Sequence, residues 1–73
     1  MREYTVILER GETSWGAYVP DLPGCVAVGA TDQEAEQLIR EAIELHIEMM
    51  REYGEPIPEP SSEARRVAVA VAA

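Results

Sequence analysis

From Arg2 to Arg10 the chain alternates, with Tyr4, Val6 and Leu8 on one side and Glu3, Thr5, Ile7 and Glu9 on the other. That is the period of a half-buried strand, predicted over about 2–10. Gly11 to Ser14 is a short polar turn, and the alternation resumes over 14–19, where Trp15, Ala17 and Val19 oppose Gly16 and Tyr18. The pair reads as a hairpin. Pro20, Asp21, Leu22, Pro23 and Gly24 then interrupt the ladder, because proline has no amide to donate and Gly24 tolerates a positive φ. A β-prone run over 25–28, ended by Gly29, returns as a third strand.

The period changes at Thr31. Thr31-Asp32-Gln33-Glu34 has the form of a capping box, in which Glu34 is expected to reach back to the Thr31 amide. A helix over about 32–53 follows, with one apolar seam of Ala35, Leu38, Ala42, Leu45 and Met49 and a second of Ile39, Ile43, His46, Met50 and Tyr53. Covering a small sheet takes one seam, so the other calls for a wide sheet or a partner chain. Glu41, Glu44, Glu48 and Glu52 line the opposite face, Glu36 is placed to pair with Arg40, and Gly54 followed by Pro56 stops the helix.

Residues 54–64 carry Pro56, Pro58 and Pro60 at alternate positions and form an extended connector. Beyond it Val67, Val69 and Val71 alternate with Ala68, Ala70 and Ala72, so both faces of a strand over 66–72 are apolar and both need cover. Set parallel to the first strand, it completes the order β-β-β-α-β: an α+β fold, a two-layer α/β sandwich with one long helix on a small mixed sheet. The sheet's far face, with Ile7 and Tyr18, is left bare, and self-association as a homodimer or higher homo-oligomer is the simplest cover.

A length of 73 residues confines this to a single domain, 1–73, with no apolar run long enough to cross a membrane. Six basic residues, all Arg, against fourteen acidic ones give a net charge of −8. Direct binding to a nucleic-acid backbone is therefore disfavoured, and a basic protein partner is favoured. The N-terminus lacks the pattern of an export signal, which places the chain in the cytoplasm.

Few residues offer chemistry. His46 lies in the apolar arc without a second His, and Cys25 is the single cysteine, with no legible Cys-His-Asn set. The helical carboxylates form a solvated stripe instead of converging on a metal. No catalytic residue, cofactor or metal is expected, and the chain reads as a non-enzyme.

The string Tyr18-Val19-Pro20-Asp21-Leu22-Pro23-Gly24-Cys25, the following Gly29-Ala30-Thr31 and Glu34-Ala35, the run Glu41 to Glu48, and Gly54 to Ser61 together resemble the HicB-like antitoxin family across about Tyr4 to Val71. The resemblance implies a partial RNase H-like fold and the antitoxin half of a toxin–antitoxin system, which sequesters a small basic HicA-like ribonuclease. Two departures stand out. The chain ends at Ala73 without the DNA-binding module many family members carry, so direct DNA binding is not expected. The last strand also offers no carboxylate for RNase H chemistry. The exposed candidates for partner contact are the bend Asp21, Leu22, Pro23, Gly24 and Cys25 and the helical Glu41, Glu44, Glu48 and Glu52. The competing reading is a homo-oligomeric scaffold without a toxin partner.

Overall fold

The computed structural model describes residues 2–72. Strands β1 (Ile7–Arg10), β2 (Trp15–Tyr18) and β3 (Val26–Gly29) form an antiparallel sheet in the order β1-β2-β3, and helix α1 (Asp32–Glu52) packs on one face. The register sets the two faces. Leu8, Ala17 and Ala27 lie abreast on the helix side, while Ile7, Tyr18 and Val26 lie abreast on the other. Ala17, Val19, Leu22, Cys25, Ala35 and Ile39 make up the buried core, with Tyr4, Val6, Leu8, Trp15, Ala27, Ala42 and Ile43 packed around it.

Gly29 brings helix and sheet into contact. A Cβ built there would lie 2.6 Å from the Ala35 nitrogen, so only glycine lets the first turn of α1 sit on β3. Thr31 caps that turn by accepting from the Glu34 amide at 3.1 Å. The reciprocal bond closes one residue earlier than expected: the Glu34 carboxylate takes the Ala30 amide at 2.7 Å, not that of Thr31. At the other end Tyr53 caps the helix, and Gly54 at φ 68° turns the chain away. The anticipated Glu36–Arg40 pair is not among the ion pairs of the described residues, where the gain for an exposed pair barely exceeds the entropy of holding it.

The first strand is shorter than its alternation suggests. Ile7 pairs with Tyr18, and one step beyond Val19 stands Pro20, with no amide to continue the ladder. Residues 2–6 are held instead by the connector. Tyr4 donates its hydroxyl to the Pro58 carbonyl, Thr5 donates to the Ser62 carbonyl at 2.6 Å, and the Arg2 guanidinium pairs with Glu59 at 2.9 Å. The connector therefore runs alongside the N-terminal arm.

The fourth strand does not form. No residue from 55 to 72 is in a strand, and the sheet is antiparallel throughout where a mixed one was expected. Val67, Val69 and Val71 are 79%, 73% and 84% exposed. The cause is geometric. The helix leans over β3 and β2 more than β1, leaving the flank of β1 as an open cleft, while the connector is pinned at Ser61 and Ser62 before the tail leaves the sheet. A segment apolar on both faces finds neither face covered within one chain.

Candidate partner-binding surface

The bend is built from nested turns. The Leu22 amide donates to the Val19 carbonyl and the Cys25 amide to the Leu22 carbonyl, each at 3.1 Å, while the Val19 amide returns to the Cys25 carbonyl at 3.3 Å. Gly24 completes the reversal at φ 84°. This winding turns Leu22 and Cys25 into the core, so neither can belong to a contact surface as their place in an exposed-looking loop suggested. Burial also pushes the Cys25 thiol pKa up, away from the thiolate a nucleophile needs. Pro23 and Gly24 alone of the bend candidates stay exposed.

Asp21 is engaged within the chain. Its Oδ2 accepts the Ser61 amide at 2.9 Å and the Ser62 amide at 3.0 Å, and its Oδ1 accepts the Ser62 and Ser61 hydroxyls at 2.7 and 3.1 Å. The Ser62 and Ser61 amides, with the Ser62 hydroxyl behind them, hold the carboxyl down from its ordinary 3.8 to about 2. Asp21 thus clasps the connector to the bend. Nothing in the local sequence announced this role, because its partners lie forty residues away.

Glu41, Glu44, Glu48 and Glu52 are all exposed. At 100° per residue they fall on one stripe, opposite the buried Ala35 and Ile39. Beside that stripe runs an apolar one, Leu38, Leu45 and Met49 from the first predicted seam, of which Leu45 is 62% and Met49 54% exposed. The helix therefore presents apolar residues flanked by carboxylates, the composition of a protein-binding face with a charged rim. The far side of the sheet is a second apolar area, with Tyr18, Val26 and Val28 exposed. Among the described residues no three His, Cys, Asp or Glu side chains gather as a metal-binding group, and no helix is long and apolar enough to cross a membrane.

Fold and surface together define a small α+β domain with exposed apolar and acidic patches. The chain belongs to the HicB_like antitoxin family of bacterial toxin-antitoxin systems, whose model matches residues 4–70. It is similar to the UPF0150 protein Ta0767 of Thermoplasma acidophilum, 40% identical over 84% of this chain and 90% of that one. It also resembles the UPF0150 protein ssr1765 of Synechocystis sp., 45% identical over 75% of this chain and 71% of that one. Among solved structures it matches a chain of the HicA3 and HicB3 toxin-antitoxin complex with a TM-score of 0.70 and 28% identity, covering 82% of this chain and 70% of that one.

Proposed function

We propose that this chain is a non-enzymatic antitoxin that sequesters a small basic HicA-like ribonuclease by protein–protein contact, in the cytoplasm and as a homo-oligomer. The single observation that carries the reading is the likeness, in fold and in sequence, to a chain of a solved toxin-antitoxin complex. The net charge of −8 supports it, since an acidic protein draws a basic one into encounter and repels the toxin's RNA substrate. The α1 face is the docking surface in this reading: Leu38, Leu45 and Met49 give apolar contact, and Glu41, Glu44, Glu48 and Glu52 give steering. Bare apolar area on the sheet supports self-association.

The test is binding to a basic HicA-like ribonuclease from an adjacent reading frame, read by calorimetry and by inhibition of RNA cleavage. A stoichiometric, inhibited complex is expected, and Leu45→Asp with Met49→Asp should weaken it by about 30-fold or more. Full affinity in that double variant would remove the helix face from the interface, and no binding by the parent chain would refute the proposal.

A further inference from the structure

Two unsatisfied features of this fold are complementary. The first is the cleft of about 610 Å³ beside β1, whose apolar walls are Tyr4, Val6 and Leu8 from the sheet side and Ile39 and Ile43 from the helix. β1 is an edge strand, so the cleft is bordered by an unpaired row of backbone donors and acceptors. The second is the tail, extended and apolar on both faces, with none of its backbone groups in the hydrogen bonds of the described residues. At about 3.3 Å per residue, residues 66–72 reach roughly 23 Å, longer than the four-residue β1 they would cover.

We propose that the tail of each chain adds as a strand to the β1 edge of a second copy and fills its cleft, making a reciprocal strand-exchanged dimer. This rests on the self-association reading above and names its mechanism. A second copy is favoured over the chain's own β1 by how the tail is mounted. Asp21 and Thr5 grip Ser61 and Ser62, three alternate prolines stiffen the connector before them, and beyond that clasp the tail is exposed and pairs with no strand of its own sheet. The longest dimension of the molecule is 52 Å, beyond the roughly 31 Å of a 21-residue helix. A two-fold exchange satisfies every cleft and every tail at once and leaves no open end. It seats one face of the valine–alanine strand on the apolar cleft and lays the other alongside the sheet's exposed apolar side.

The chain is run by size exclusion with light scattering, beside a variant carrying Val67→Asp, Val69→Asp and Val71→Asp. These positions are exposed, so the helical circular dichroism of the variant should match the parent. The parent is expected at twice the monomer mass and the variant at the monomer mass. For the pairing itself, a Val69→Cys chain is co-refolded with a Val6→Cys or a Leu8→Cys chain, all carrying Cys25→Ala, and oxidised. A disulfide between the two different chains is expected. A dimer that survives the three aspartates leaves self-association standing and overturns the exchange, as does a Val6→Cys, Val69→Cys double variant that closes only within one chain. A monomeric parent overturns both exchange and self-association, while toxin binding is read in its own assay.

Discussion

Gly29→Ala tests the helix–sheet contact at its tightest point. The new Cβ would stand 2.6 Å from the Ala35 nitrogen and 3.0 Å from its Cα and from the Glu34 carbonyl carbon, all backbone atoms that no rotamer change can move. Restoring an ordinary 3.4 Å contact requires a retreat of 3.4 − 2.6 = 0.8 Å at the start of a 21-residue helix that carries Ala35 and Ile39 into the core. Overpacking of this kind costs about 1–3 kcal/mol. Gly16→Ala supplies the control, because its Cβ meets nothing closer than the Glu9 carbonyl at 4.0 Å. Neither glycine has a positive φ, so both variants share the gain of about 0.4–1 kcal/mol from a stiffer unfolded chain. Gly16→Ala should therefore be slightly stabilised and Gly29→Ala destabilised. Urea unfolding at equal protein concentration, followed by the single Trp15 fluorophore and by circular dichroism, measures both. If Gly29→Ala proves as stable as Gly16→Ala, the close approach of α1 to β3 is wrong.

Leu22 is fully buried in the bend, so Leu22→Ala should cost about 2–5 kcal/mol, comparable to the whole stability of so small a domain, and leave the chain largely unfolded by circular dichroism. The Asp21 clasp should be pH-dependent: its lowered pKa means that stability is present above about 3.8 and is lost as pH falls through about 2. Protection of the Ser61 and Ser62 amides against hydrogen exchange, taken relative to the intrinsic rate at each pH, should fall across that window in the parent and be absent throughout in Asp21→Ala, and protection indifferent to pH would argue against the clasp. Replacing Glu41, Glu44, Glu48 and Glu52 by Gln takes the net charge from −8 to −4. Toxin association should slow on the order of 10-fold at low salt and lose much of its salt dependence, whereas an unchanged rate would place the steering charge elsewhere.

What the sequence made legible was local. The alternation through Tyr4, Val6 and Leu8 and through Trp15, Ala17 and Val19 named the inward faces of the hairpin, and Thr31 and Gly54 marked the ends of the helix. What escaped depends on contacts distant in the chain. Leu22 and Cys25 sit in a proline-rich loop that reads as exposed, yet three backbone hydrogen bonds wind them into the core. Asp21 serves the connector through serines that no spacing rule links to it. The valine tail has the pattern of a buried strand, but pattern reports only that both faces need cover, not which chain provides it. Likewise Leu38, Leu45 and Met49 keep helical spacing whether they meet a sheet or a partner; the tilt of α1 toward β3 decides that they stay outside.

The central claim, that this domain works by gripping a ribonuclease, is tested most directly by titrating the chain into a HicA-like toxin from an adjacent reading frame while following RNA cleavage. Cleavage is expected to fall to zero at a fixed stoichiometry, and the two proteins to co-elute as one species. Undiminished cleavage in the presence of excess folded chain, with the proteins eluting separately, would contradict it.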